Sequence, residues 1–349
     1  MSSETAEAMG HFHPEDGDPV PVALCGFARA NSDFVELHES PTFFTARHRN
    51  GRRTVGLVSG GGSGHEPLHA GFLGEGMLDA VAPGKVFASP HNRQVLEASR
   101  HVAGEQGVLH IVKNYTGDRI NFGIAAERLR LEGIEVRRVL VDDDIATDSA
   151  DTATGRRGTA GTVVVEKVLG AAADDGAGLD DLVELGTRVA SVTRSLAVAS
   201  QAQTAIHSGR PAFELEPGEL EYGVGIHGER AASSLARPAT PELVRRMTGE
   251  VLNALPDGAD AIVIVNGLGA VTLLELNVIF EYAAREIELR GRRVVGNLVG
   301  DYVPALDMRG FSITVTMADA ELLALWDAPA FTPAFPNRLV TTSTERRQQ

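Results

Sequence analysis

Between about residues 54 and 170, short apolar runs alternate with longer stretches whose apolar positions recur at helical spacing. The short runs are Thr54-Val-Gly-Leu-Val58, Gly107-Val-Leu-His-Ile-Val112 and Glu135-Val-Arg-Arg-Val-Leu-Val141. They read as strands, and strands alternating with helices predict a doubly wound, mostly parallel sheet. Residues 159–206 are rich in Ala, Val and Leu and read as two helices parted at Asp174-Asp175-Gly176, closing this first unit.

Past Ser208-Gly209-Arg210-Pro211 the order becomes strand (Leu220 to Ile226), helix (Pro241 to Leu255), strand (Asp260 to Asn266) and helix (Leu273 to Leu289). Two more strands, Arg293 to Val299 and Phe311 to Met317, complete it. The fold class is therefore α/β with two α/β domains, the second smaller. The first spans residues 19–205 and the second 206–336, with frayed polar ends at 1–18 and 337–349. No solenoid-period repeat or low-complexity tract is present.

The chain length of 349 residues agrees with two domains, and its 38 glycines suit many tight strand-to-helix turns. A formal charge of −15 repels nucleic acid and anionic membrane surfaces on average, so neither is expected as a partner. Cys25 is the one cysteine, which excludes an intramolecular disulfide. No run reaches the roughly 18 apolar residues of a membrane span. The N-terminus lacks the basic and apolar regions of a signal peptide, so a cytoplasmic location is expected.

The densest chemical signal is Ser59-Gly-Gly-Gly-Ser63-Gly64-His65-Glu66-Pro67, predicted to turn from a strand into a helix. Consecutive glycines let backbone approach a ligand and aim N–H groups at it. It is not a P-loop, because Gly-x-x-x-x-Gly-Lys-[Ser/Thr] is absent from the chain. In Lys113-Asn-Tyr-Thr-Gly-Asp118 a strand runs into a loop at the sheet edge where α/β proteins bind ligands. Lys113 and Asp118 there are candidates to grip and deprotonate a substrate, a solvated loop being the alternative.

Gly223-Val-Gly225-Ile-His227-Gly228-Glu229 matches the letters of a dinucleotide fingerprint. Pro238 and Pro241 break the stretch where a pyrophosphate-binding helix would open. An imidazole flanked by glycines is accessible, and its neutral nitrogen can attack a carbonyl carbon, although a lone histidine is often structural. Asp142-Asp143-Asp144 reads as a solvated strand-end loop in preference to a Mg²⁺ site, and Asn266-Gly267-Leu268-Gly269 as structural packing. No metal site is expected.

Taken together, the motifs at 59, 113 and 225 resemble, in order, those of the dihydroxyacetone kinase K-subunit family. The likeness extends to Gly74-Glu-Gly76-Met, Val86-Phe-Ala-Ser-Pro90, Thr154-Gly-Arg-Arg-Gly158, Glu166-Lys167, Asn266-Gly-Leu-Gly269, Leu306-Asp-Met-x-Gly-Phe-Ser312 and Leu325-Trp-Asp-Ala-Pro329, covering most of residues 54–336. The resemblance implies a homodimer of two-domain subunits that captures a ketone as a hemiaminal on a histidine, matched by His227. It also implies that Gly62, Ser63, Gly64 and His65 contact the sugar, that Lys113 holds it, and that Asp118 draws the proton from the attacking hydroxyl. His227, Asp118 and His65 are thus the catalytic set.

By the same resemblance this chain binds no cofactor of its own. ADP or ATP with Mg sits on a separate L-type subunit, for which no room is expected past residue 336, and a phosphohistidine M-type protein is the possible recharger. A kinase for another short ketose such as erythrulose, and a non-catalytic ketose-binding coactivator of transcription, are the alternatives. The chain departs from the family pattern between Gly17 and Asn31 and at Arg230, where proline is common.

Overall fold

The apolar runs of the N-terminal half form the centre of a six-stranded sheet in the computed structural model, which describes residues 11–14, 17–148, 155–230, 234–258 and 260–336. The strands are β1 (Val35–Glu39), β2 (Thr42–Ala46), β3 (Gly56–Ser63), β4 (Ala80–Val86), β5 (Val108–Lys113) and β6 (Val136–Val141). Their spatial order is β1-β2-β4-β3-β5-β6. β4, β3, β5 and β6 are parallel, as the alternation predicts, and the antiparallel hairpin β1–β2 flanks β4. β4 escapes the sequence pattern because Pro83 and Gly84 sit inside it and read as breakers.

Helix α1 (Pro19–Ala30) is capped by Asp18 and precedes the hairpin. α2 (Asn92–Val102) opens on a capping box of His91 and Gln94 and buries Val95, Leu96 and Val102. α3 (Thr116–Leu131) follows β5 after two residues, which places its N-terminus at the carboxyl edge of the sheet.

The Ala-rich stretch behaves differently from its prediction. α4 (Gly161–Asp174) and α5 (Leu179–Ser191) form and part at Gly176, which takes φ +89°. Residues 193–201, read as the end of a helix, instead form β7 (Thr193–Gln201). β7 is paired to the later strands on both sides and nearly buried throughout, so it lacks the period-two alternation of a half-exposed strand. Its Ala and Leu content suggests helix, and tertiary pairing overrides that weak preference.

The second sheet has the order β11-β10-β12-β7-β8-β9. It comprises β7, β8 (Glu219–Tyr222), β9 (Ser234–Ala236), β10 (Asp260–Gly267), β11 (Arg293–Gly300) and β12 (Arg309–Met317). Helices α6 (Thr240–Asn253), α7 (Leu273–Leu289) and α8 (Ala320–Asp327) complete the eight helices of this mixed α/β fold among the described residues. With six strands, this sheet is not smaller than the first, and β7 begins it ahead of the 205/206 division. β10 and β11 pair in parallel, and the other strand pairs of this sheet among the described residues are antiparallel.

α4 joins the two sheets. Its residues Gly161 to Ala173 are all buried, and they are apolar apart from Thr162, Glu166 and Lys167. Leu57 and Ile111 of the first sheet, Val163 and Val168 of α4, and Ile262 and Ile264 of the second sheet share one hydrophobic core. Most of the residues expected to fray, 1–10, 15–16 and 337–349, lie outside the described residues. Among the described residues no helix is long and apolar enough to cross a membrane.

Candidate active site

The carboxyl ends of β3 and β5 meet loops of the second sheet, and the sequence motifs converge there. The glycine-rich segment is not the turn predicted from its letters. β3 continues through Ser63, and a 3-10 turn at Ala70–Phe72 follows where a helix was expected. The glycines serve close approach: a Cβ at Gly61 would collide with Lys113 Nζ, and one at Gly62 would lie 2.7 Å from Ala88 N. Gly64 turns the chain at φ +100°, with the Phe87 ring against it. Ser63 donates its hydroxyl to Gly84 O at 2.8 Å, so that group is already engaged.

His65 is 1% exposed. Its Nδ1–H donates to Pro304 O at 2.7 Å, which leaves Nε2 as an acceptor, buried and unpaired among the described residues. Burial, then the neighbouring His227 and Lys113, hold the His65 imidazole well below its ordinary range. Asn266 fixes the loop that carries Pro304. Its Oδ1 accepts from Tyr302 N at 2.9 Å and Val303 N at 2.7 Å, and its Nδ2 donates to Val303 O at 3.0 Å. The residue read as packing thus positions His65.

His227 lies in a turn beyond β8, which stops at Tyr222 and not at Ile226 because Gly223 takes φ +93°. Its ring centroid is 4.9 Å from that of His65, 4.6 Å from Tyr115 and 5.6 Å from Phe87, edge-on to each. Glu229 clamps it: Oε1 accepts from Nδ1 at 3.0 Å and Oε2 from the His227 backbone N–H at 3.0 Å. A proton on Nδ1 leaves the lone pair on Nε2, the form a nucleophilic imidazole requires. Burial opposes ionisation of Glu229, but the His227 hydrogen bond and charge hold its carboxyl at about 2. Gly225 has no side chain, which admits both Glu229 and Arg157 beside it.

Lys113 ends β5 and is 1% exposed. Its Nζ is 2.7 Å from His69 Nε2 and 3.4 Å from Gly60 O. Asp118 belongs to the first turn of α3 and not to a loop; it is buried, and its Oδ1 has no hydrogen-bond partner among the described residues. Tyr115 caps the same helix, and its buried hydroxyl is likewise unpaired. Burial, then the charge of Glu229, hold that phenol well above its usual range, so it remains an O–H donor.

Asp143 and Asp144 are neither a solvated loop nor free to hold a metal. Asp143 accepts from Thr159 N at 2.7 Å, Thr159 Oγ1 at 2.6 Å and Gly161 N at 2.9 Å, tying down the start of α4. Asp144 pairs with Arg157, whose Nη2 donates to Gly223 O at 2.9 Å.

Sequence reading missed Tyr115, Phe87, Glu229, His69 and Glu166 as parts of this region. Tyr115 and Glu229 stand inside motifs already singled out, and a buried-donor or imidazole-orienting role was there to be asked of them. His69 and Glu166 are 97 positions apart, and no spacing rule connects them.

The Dak1 domain family matches residues 25–334. The PEP-dependent dihydroxyacetone kinase, dihydroxyacetone-binding subunit DhaK, of Escherichia coli is 38% identical over 343 residues, 91% of this chain and 96% of that protein. The crystal structure of the dihydroxyacetone kinase of C. freundii superposes with a TM-score of 0.83 at 37% identity, over 91% of this chain but only 58% of its own. A dihydroxyacetone kinase operon co-activator, DhaQ, superposes at 0.84 with 30% identity, over 91% of this chain and 98% of its own.

Proposed function

Because the chain belongs to the dihydroxyacetone kinase family defined by the Dak1 domain, we propose that it is the ketose-binding part of such a kinase. It captures dihydroxyacetone, or a related short ketose such as erythrulose, as a hemiaminal on His227. It then presents the ketose hydroxyl to a phosphoryl group supplied by a nucleotide-bearing L-type partner. One observation carries this reading. Among the described residues, His65 Nε2 and Tyr115 Oη, whose rings lie against His227, and Asp118 Oδ1, one helical turn beyond Tyr115, are three buried polar atoms without partners. Orphaned buried polar atoms are costly, and a small polyhydroxylated ligand would satisfy all three.

In the capture step Nε2 bonds to the ketone carbon while the carbonyl pair moves onto oxygen. The ring then carries its surplus proton on Nδ1, shared with Glu229, and the new alkoxide accepts a hydrogen bond from the Tyr115 hydroxyl. Transfer of one proton from ring to oxygen leaves a neutral hemiaminal. His65 Nε2 accepts a hydrogen bond from a ketose hydroxyl, and Asp118 takes the proton of the hydroxyl that attacks phosphorus. Covalent capture orients a small ligand that offers few other handles, and it selects ketones over alcohols lacking an electrophilic carbon. ADP or ATP with Mg belongs to the partner, an M-type protein recharges it in a phosphoenolpyruvate-linked system, and the subunit works as a cytoplasmic homodimer.

The test is carbon-13 NMR of dihydroxyacetone labelled at its carbonyl carbon, mixed with protein carrying nitrogen-15 histidine. Wild type is expected to show a bound tetrahedral carbon coupled to nitrogen, and His227→Ala none. Free ketone alone with wild type would end the covalent reading. The structural likeness to a co-activator favours a second reading, capture without phosphorylation. Adduct without triose phosphate, in the presence of a competent L-type partner and ATP, would establish that reading instead.

A further inference from the structure

Behind the glycine strand, three ionisable side chains from three segments touch in series without water access. Lys113 ends β5, His69 follows β3, and Glu166 lies midway along α4. Lys113 Nζ is 2.7 Å from His69 Nε2, and His69 Nδ1 is 2.6 Å from Glu166 Oε1. Their exposures are 1%, 4% and 0%. Groups of these types are almost never buried unless they compensate one another. Ser59 Oγ, 3.0 Å from the same Nδ1, donates to Ile111 O at 2.9 Å and so offers the ring only an acceptor.

Two proton placements fit these contacts. In the first, the Lys113 ammonium donates to Nε2, and Nδ1–H donates to the Glu166 carboxylate. In the second, the Glu166 acid donates to Nδ1, and Nε2–H donates to the Lys113 amine. Both hold the same number of protons and the same net charge. They interconvert by shifting one proton from Nζ to Nε2 and one from Nδ1 to Oε1, with no outside acid or base.

The surroundings pull in opposite directions. Burial favours the uncharged placement: it pushes Glu166 up to about 8, with the Lys113 charge opposing, and it draws Lys113 down. Asp118, from α3, favours the ammonium, as does Glu166. His69 is neutral, held well below its ordinary range by burial, then by Lys113 and His65, which face it. A pair so balanced responds to a new charge nearby.

We propose that Glu166, His69 and Lys113 form a proton relay that switches Lys113 between amine and ammonium at constant net charge. The ammonium is then present while negative charge develops on the bound ketose, and it is withdrawn when that charge leaves. The role toward the ketose rests on the function proposed above, whereas the relay itself is a property of the buried side chains. Glu166 and His69 are positioning residues that act through Lys113.

Nitrogen-15 NMR of histidine-labelled protein, with His69 assigned by comparison with His69→Gln, reads the relay directly. The wild type, with Asp118 facing Lys113, is expected to carry the His69 proton on Nδ1, and Asp118→Asn to move it to Nε2. The same tautomer in both proteins, or a doubly protonated ring, overturns the proposal. Glu166→Gln cannot accept the proton from Nδ1. It is expected to form the His227 adduct normally and to lose turnover by roughly tenfold to a hundredfold, the scale known for the outer hydrogen-bond partner of a metal-bound histidine and carried over to this ring. Undiminished turnover, or loss of the adduct in that variant alone, also overturns it. Should Glu166→Gln fail to fold, the comparison of wild type with Asp118→Asn still decides. A wild type that forms no adduct would refute the ketose reading and leave the tautomer measurement to judge the relay.

Discussion

Two of the imidazole–carboxylate pairs among the described residues, His227–Glu229 and His69–Glu166, lie in the site region, and they differ in what lies beyond the ring. In His227–Glu229 the carboxylate is two residues along the chain, the side chains are 18% and 38% exposed, and the second ring nitrogen has no hydrogen-bond partner among the described residues. In His69–Glu166 the partners come from different segments, both are sealed, and the second nitrogen rests on Lys113. One arrangement leaves a nucleophile open to a ligand; the other ties the ring into an internal chain. The same pair of functional groups is thus set to bond formation or to proton placement by burial and by the third group.

The sharpest way to break this contrast is to exchange carboxylate for amide in the open pair. Glu229→Gln can donate its amide N–H to Nδ1 and move the ring proton to Nε2, which removes the nucleophilic lone pair. Capture of labelled dihydroxyacetone should slow by on the order of 10²-fold or more, as when a catalytic imidazole is held in the wrong tautomer. Glu166→Gln should leave capture intact, so equal loss in both variants would erase the distinction. Next in size, Asp118→Asn should retain the adduct but lower phosphoryl transfer by roughly 10²-fold, the contribution of a general base. Near-normal turnover with a competent L-type partner and ATP would remove Asp118 from that role.

How far sequence reading reaches follows the same divide. The open pair lies within the short segment Gly225-Ile-His227-Gly228-Glu229, and the parallel strands β3, β5 and β6 announce themselves as apolar runs. The sealed pair left no local trace, because its members meet only after α4 packs between the sheets. β7 was missed for a related reason. A strand paired on both sides and nearly buried throughout loses its alternation, so composition alone suggested helix. The role of Asn266 was hidden too, since its effect on His65 passes through the backbone of residues 302–304.

The smallest expected effect separates the pairs by pH. His69 is held well below its ordinary value of 6.5 by burial, so the unfolded chain takes up a proton below about pH 6.5 that the folded chain refuses. More protons bound in the unfolded state means that stability rises with pH, so the share belonging to His69 is complete above that value and is lost as the solution is acidified. Glu229 has the opposite chemistry and a later onset. Its carboxyl is held at about 2 against an ordinary 4.5, so its contribution is complete above 4.5 and is lost only as pH falls from there toward 2. Acidification should therefore cost the His69 ring before it costs Glu229, while Glu166, held at about 8 against an ordinary 4.5, works in the opposite sense between those values and is present in both proteins compared. Urea unfolding of wild type and His69→Gln from pH 7 to 5 should show wild type losing ground by up to about 1.4 kcal/mol per pH unit once below 6.5. Glu229→Gln should track wild type across that range and diverge only below 4.5. Parallel curves for wild type and His69→Gln would mean that the His69 ring accepts a proton while folded, and the sealed pair would then be no different in kind from the open one.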